Sequence, residues 1–245
     1  MKGKFTLRCA TWNVHRAKGT DGRRDPARVE AVIADVIAPI KPDILALQEA
    51  DEEFRPHRSI LDLASIAQAT GLISVHDRLD LRWGPESDGF LGTVLLLSAR
   101  LTCGHADVID LPGHCHRGAI AVETCCDDVS LRVISTHLSL AQPLRVIQMR
   151  ILGQYLRRRP PMQTIFLGDF NEWRPWGGLM FHRKVVGTDL RGPARATFPS
   201  RRPVLPLDRI LTDAGGYVRS AKTLLTPTTR LASDHLPLCG EVTVL

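Results

Sequence analysis

Residues 44–49 read ILALQE, four apolar side chains that end abruptly in an amide and a carboxylate. An unbroken apolar run of this length fits a strand buried on both faces, since a half-solvated strand would alternate apolar with polar residues. The preceding segment supplies the cover for one face. Asp25 and Pro26 are the residue types of a helix N-cap and first helical position. Val29, Val32, Ile33, Val36, Ile37 and Ile40 then recur at the spacing of a single helical stripe, which Pro39 and Pro42 bring to an end. Glu49 therefore stands at the exit of a buried strand, where a carboxylate needs a reason to be.

Working outward, FTLRCATWNV (5–14) is β-rich and alternating, so it predicts a strand ending near Asn13. A second helix is expected from about Ser59 to Thr70, closed by Gly71 in the left-handed conformation. Strands are expected near 72–76, 91–98 and 105–110, and RGAIAVET and VSLRVIST flank CCDD as a hairpin. QPLRVIQMRILGQYLRR (142–158) predicts a helix with Leu144, Ile147, Ile151, Leu152 and Tyr155 on its apolar face, leading into the strand TIFLGDFN. A Pro-, Gly- and Arg-rich stretch follows up to Pro206, then short strands at LDRILT, near 217–224 and at LPLCGEVTV. No repeat, low-complexity tract or linker interrupts the pattern, so the expectation is one α/β domain over residues 1–245.

The bulk composition narrows the class. The chain has 245 residues, 44% of them hydrophobic and 24% charged, which suits a globular domain with a real core. No apolar run approaches the roughly 20 residues that span a bilayer. Arg8 and Asn13 interrupt any signal-peptide core in MKGKFTLRCATWNVH. Neither export nor a stable membrane anchor is expected, and a cytoplasmic protein with six reduced cysteines is. The net charge of +6 favours anionic partners, with arginines clustered at 23–24, 157–159 and 201–202. Cys103, His105, His114, Cys115, His116, Cys125 and Cys126 include zinc-ligand types, but no paired C-x2-C occurs. These cysteines read as small core or hairpin residues.

Six polar clusters fall where strands begin or end: TWN with Asn13, LQE with Glu49, STH with His137, GDFN with Asp169 and Asn171, LDR with Asp208, and SDH with Asp234 and His235. Strand ends are where functional groups converge in α/β proteins. Carboxylates and amides without thiols suit a hard cation such as Mg²⁺ or Mn²⁺. Histidines beside such a cation suit a phosphoryl group in transfer.

TWNVH, LQE, STHL, GDFNEW, LDRI and SDHLP, in that order, resemble the endonuclease/exonuclease/phosphatase family, which includes deoxyribonucleases, apurinic endonucleases, sphingomyelinases and inositol-polyphosphate 5-phosphatases. The resemblance runs from Asn13 to His235 and implies a four-layer α/β sandwich, two β-sheets packed face to face and flanked by helices. It implies Glu49 as the principal metal ligand at the sheet's edge, with Asn13 assisting and Asp234 contributing directly or through water. Asp169 would prepare the attacking water, and Asn171 would hold that water or a phosphate oxygen. These two residues, two apart in an extended segment, would point to one side. Asp208 would fix the tautomer of His235, which would meet the phosphate. His137 would stabilise the transition-state charge or protonate the leaving oxygen, and its presence in place of an amide points away from a dedicated abasic-site enzyme.

The chain departs from the family pattern in having no tyrosine between Glu49 and His137. The acid that should pair with His137 is also not evident, Asp88 and Glu123 being the candidates. Arg117 is a candidate phosphate contact and equally a solvated strand residue. Trp173, Arg174 and Trp176, just after GDFN, can serve substrate stacking and phosphate binding, or can anchor a loop. The expected reaction is metal-assisted attack of water on a phosphodiester. Nucleic acid is favoured by charge, a phospholipid or inositol-phosphate head group is the alternative, and a binding module without activity is the third reading.

Overall fold

ILALQE becomes β2 (Ile44–Gln48), in which every residue is buried. The computed structural model describes residues 4–213 and 215–245 of the chain. In chain order the other strands are β1 (Phe5–Asn13), β3 (Leu72–Ser74), β4 (Val94–Ser98), β5 (Thr102–Leu111), β6 (Arg117–Cys126), β7 (Val129–His137), β8 (Gln163–Asp169), β9 (Asp208–Thr212), β10 (Gly216–Thr223) and β11 (Leu238–Val244). The helices are α1 (Pro26–Val32), α2 (Leu63–Thr70), α3 (Gln142–Arg157), α4 (Arg183–Val186) and α5 (Pro227–Ala232). One sheet has the order β10-β11-β1-β2-β4-β3 and the other β5-β6-β7-β8-β9.

Alternation along the strands builds the layers. Ile44 and Ala46 of β2 face a central core shared with Ile165 and Leu167 of β8, so the sheets pack face to face. Leu45 and Leu47 point the other way, against Trp12 and the stripe Val29, Val32, Ile33 and Ile37. Phe166 lies on the outer face of the second sheet with Met149 and Leu152 of α3 and Val185 and Val186 of α4. The result is the expected four-layer sandwich. Strands covered on both faces must be apolar at every position, which is why β2 shows no alternation. Each such side chain contributes roughly 1.5–3 kcal/mol by leaving water.

Local boundaries differ from the expected ones for identifiable reasons. α1 begins as read, with the Asp25 carboxylate accepting from the Arg28 N–H. Its stripe then continues through a wide π-type turn at Ile33–Ile37 and a tight turn at Ala38–Ile40, ending on left-handed Lys41. α2 starts at Leu63 rather than 59, because Asp62 caps the N–H groups of Ala64 and Ser65. Gly71 closes it in the left-handed conformation. β4 begins only at Val94, since Leu91 and Gly92 have positive φ and form a turn. α5 lies in the stretch between two expected strands and was not anticipated. Among the described residues no helix is long and apolar enough to cross a membrane.

Two parallel pairs set the site. β1 and β2, joined through α1, bring Asn13 opposite Gln48. β7 and β8, joined through α3, place His137 beside Asp169, and antiparallel β9 places Asp208 on the other side of Asp169. Gly168 permits this close approach: at φ +136 a Cβ there would stand 1.9 Å from the Thr136 carbonyl oxygen.

Candidate active site

The strand register alone lines up His137, Asp169 and Asp208 on three adjacent strands. Asp208 is fully buried and its Oδ2 accepts from His235 Nδ1 at 2.8 Å, which turns the other ring nitrogen towards Asp169 Oδ2 at 3.7 Å. The His235 loop is itself fixed. Ser233 Oγ donates to the Asn13 carbonyl and accepts from the His235 N–H, while Trp12 Nε1 donates to the His235 carbonyl at 2.9 Å. Asp169 accepts from Asn13 Nδ2 at 3.0 Å and from the Asn171 N–H at 2.9 Å. Asn13 Nδ2 also reaches Glu49 Oε1 at 3.3 Å. A continuous polar chain thus runs Asp208–His235–Asp169–Asn13–Glu49 across the tops of both sheets. Its members other than Asp208, which lies buried behind His235, line a cleft of about 430 Å³ together with His137, Arg117, Trp173 and Asp234.

Charge is distributed unequally along this chain. Burial would lower the His235 pKa, but the carboxylates of Asp208 and Asp169 outweigh it and hold the ring above its usual range, as an imidazolium. His137 goes the other way, pushed well below its ordinary value by burial and then by the nearby charges of Arg117, His235 and Arg16. Burial raises the Asp169 carboxyl, the His235 charge opposes this, and the net direction is upward. The two histidines are thus driven in opposite directions, His235 towards the cation and His137 towards the neutral ring.

The donor atoms around Glu49 suit a hard cation. Glu49 Oε2 is buried without a hydrogen-bond partner, and carboxylate oxygens of Glu49 and Asp169 converge where both accept from Asn13 Nδ2. That set fits an oxygen-seeking divalent cation. Atoms of Asp169, Asp208 and His235 also lie within 4.8 Å of one another. His235 is already committed to Asp208 and charged, so it does not offer a free ring nitrogen to a metal.

Several expectations need correction in detail. Glu49 is not at the sheet's edge; β2 is an interior strand, and Glu49 lies just past its end with φ +57. Asp169 and Asn171 do not share an extended segment. β8 stops at Asp169, and Asn171 reaches the site by a left-handed turn (φ +51), its Nδ2 bonded to the Leu138 carbonyl. Neither acid suggested for His137 approaches it. Glu123 is held by Arg132 and Arg159, and Asp88 by Ser59 and Arg82. The carboxylate nearest His137 is Asp169, at 3.4 Å from Nε2. Asp234 is half-exposed and lies 3.3 Å from His15 Nδ1, apart from the Glu49–Asn13 contact.

The substrate candidates divide. Arg117 lines the cleft with its Nε unpartnered, as a phosphate contact would require. Trp173 and Trp176 are exposed at 53% and 73%, which removes the loop-anchor reading, and Trp173 lines the cleft. Arg174 is not free for a phosphate, since its guanidinium forks onto buried Glu172 at 2.7 Å. Arg209, adjacent to Asp208, is buried and donates to the Pro206, Glu172 and Arg174 carbonyls. Among the cysteines, Cys103 and Cys115 are exposed rather than core residues, and all six are free thiols.

Sequence reasoning missed Arg16, whose Nη1 stands 2.7 Å from Glu49 Oε2. Its only signal was its place three residues after Asn13. Thr197 and Phe198 were missed as well. Thr197 Oγ1 accepts from the Asp208 N–H, and the Phe198 ring packs 4.9 Å from that of His235, though both come from the irregular Pro-rich stretch.

A family model described as the endonuclease/exonuclease/phosphatase family matches residues 10–235. Solved structures share the fold over nearly the whole chain. The human Nocturnin catalytic domain with bound sulfate is 23% identical, with a TM-score of 0.73, covering 99% of this chain and 97% of that one. An endonuclease/exonuclease/phosphatase from Bacteroides vulgatus is 14% identical, with a TM-score of 0.76, covering 98% and 100%. D. rerio TDP2 complexed with a single-strand DNA product is 18% identical, with a TM-score of 0.68, covering 97% and 98%. No curated protein matches the chain.

Proposed function

We propose that this chain, which belongs to the endonuclease/exonuclease/phosphatase family of divalent-metal-dependent phosphoester hydrolases, is a Mg²⁺-dependent phosphodiesterase acting on nucleic acid. The observation that supports the reading is the chain of contacts from Asp208 through His235, Asp169 and Asn13 to Glu49, in which His235 would serve as a fixed imidazolium, Asp169 as a buried base and Glu49 as a metal ligand. Residues 1–245 would act as one catalytic unit, and six free thiols suit the reducing cytoplasm.

Glu49 and Asn13 would hold Mg²⁺ (Mn²⁺ would fit the same oxygen set), with Asp234 reaching it through water. The ion would supply Lewis-acid polarisation of a phosphoryl oxygen. Asp169, with its affinity for a proton raised, takes the proton of the attacking water. Asn13 and the Asn171 N–H hold the carboxylate in place for that transfer. His235 presents its outer N–H to a non-bridging oxygen, and Asp208 keeps that tautomer fixed. His137, neutral, donates a hydrogen bond to the developing charge rather than a proton to the leaving group. Asn171 retains its side-chain oxygen for the water.

Nucleic acid is favoured over a lipid or inositol-phosphate head group by the excess of basic residues and by Trp173, an exposed ring at the cleft on which a base can stack. The complete set of site residues argues against an inactive binding module. The test is hydrolysis of plasmid DNA, RNA, sphingomyelin and inositol phosphates, with EDTA and with Mg²⁺ restored. Chelation should abolish activity and Mg²⁺ should return it. Glu49→Gln should fold normally and lose about three orders of magnitude in rate, as removal of a ligand charge at a catalytic cation would. Activity on nucleic acids that persisted through exhaustive chelation would overturn the mechanism, and hydrolysis of sphingomyelin alone would overturn the substrate.

A further inference from the structure

Arg16 occupies the carboxylate that the metal reading requires. Its Nη1 lies 2.7 Å from Glu49 Oε2 and its Nη2 lies 3.7 Å from Glu53 Oε2. The contact is ionic and poorly aligned, because both Glu49 Oε2 and Arg16 Nε lack a hydrogen-bond partner. Such a pair has charge attraction without the directional bonds that would lock it.

The backbone holding Arg16 is unusual. His15, Arg16 and Ala17 all have positive φ, at 48, 51 and 57. Non-glycine residues adopt this region rarely, at a cost of roughly 1–3 kcal/mol each, and hold it only where the surroundings enforce it. Here the enforcing groups belong to the candidate metal ligands. The His15 N–H donates to Asn13 Oδ1 at 2.9 Å, and the Arg16 N–H donates to the Glu49 carbonyl at 3.1 Å. The backbone that carries the guanidinium is thereby tethered to Asn13 and to Glu49, the residue whose carboxylate it meets. It stands where three depressions meet: the catalytic cleft, a small chamber beside His57 and Arg117, and an open groove beside Lys18 and Arg55.

We infer that Arg16 is a tethered stand-in cation. It neutralises Glu49 before metal binding, is displaced from that carboxylate by the divalent ion, and on release clamps a non-bridging oxygen of the substrate phosphate. A planar guanidinium that leaves a carboxylate fits a phosphate of similar geometry, and the shared cleft puts one within reach without backbone motion. Metal loading and phosphate capture are thus coupled through one side chain. The inference rests on Glu49 being a metal ligand.

The test uses Mn²⁺ binding to the full chain without substrate, followed by titration calorimetry and electron paramagnetic resonance, and separately KM for bis(p-nitrophenyl) phosphate. Arg16→Met should bind Mn²⁺ about three- to tenfold more tightly, the scale of one removed partly exposed ion pair. Its KM should rise about tenfold. Arg16→Lys, which keeps the charge and loses the fork, should restore wild-type Mn²⁺ affinity but not KM. Arg117→Met should raise KM and leave Mn²⁺ affinity unchanged, because Arg117 does not contact Glu49. Equal or weaker Mn²⁺ binding by Arg16→Met overturns the exchange, as does tighter binding with unchanged KM. Glu49→Gln separates the two levels. If it retains wild-type Mn²⁺ affinity, the Glu49 metal reading fails and the exchange falls with it. If it loses Mn²⁺ while Arg16→Met behaves as wild type, only the exchange fails.

Discussion

The two sides of the cleft are built differently. On the second-sheet side, His137, Asp169 and Asp208 end three hydrogen-bonded strands, all nearly inaccessible to solvent, and their spacing is fixed by register. On the first-sheet side, Asn13 alone ends a strand. Glu49, Arg16 and Asp234 sit on turns, the first two with left-handed backbone, and all three are partly accessible. Groups that must hold a proton in one place belong on the rigid side, where burial magnifies every charge. Groups that must exchange one cation for another belong where side chains can move.

The largest expected effect breaks the rigid side. Asp208→Asn should lower kcat/KM by about 10²–10⁴ with little loss of stability, since it removes the carboxylate charge and adds an N–H donor where the His235 tautomer is set. His235→Ala should cost a similar factor, and the double variant little more than either single one, because the pair acts as a unit. Fully multiplicative losses in the three variants would show instead that Asp208 and His235 act separately.

His76 sharpens the same comparison as a histidine buried without carboxylates. Its Nδ1 donates to the Leu81 carbonyl and its Nε2 accepts from the Leu95 N–H, so a proton has no acceptor to meet it. Burial lowers its pKa to about 4. The neutral form is the folded form. Its contribution is therefore complete above the unfolded value near 6.5 and is lost as pH falls from there towards 4. The loss should amount to about 3 kcal/mol. Denaturant titrations from pH 7 to 4 on wild type and His76→Gln should show that wild-type slope shrinking in the variant. An identical pH dependence would assign the loss to other groups.

The smallest effect belongs to the open rim. Trp173→Ala should raise KM for an oligonucleotide by about tenfold, within the 1–3 kcal/mol of one stacked base, and leave kcat and the KM for a small diester unchanged. Parallel assays on the two substrates check it. Equal changes on both would make Trp173 a structural part of the catalytic wall.

Motifs at strand ends made most of the site legible, because strand periodicity dictates which residues emerge at a mouth and because Glu49, His137, Asp169, Asp208 and His235 are chemically conspicuous there. Their sheet order was not legible. That Asp169 stands between His137 and Asp208 depends on pairing β8 in parallel with β7 and antiparallel with β9, contacts between segments far apart in the chain. Arg174 and Arg16 read alike in the sequence as basic residues near a motif. Only folding placed one against buried Glu172 and the other against Glu49.

The sequence by itself determined the main buried strands, the covering helices α1, α2 and α3 and the residue types of the site, since these follow from periodicity and side-chain chemistry along the chain, whereas the short α4 and α5 carry no such signal. The tertiary structure decided which histidine is pushed towards its charged form, which arginine is engaged and where Asn171 points. Those properties depend on burial and on distances of a few ångströms between groups that the chain order keeps apart.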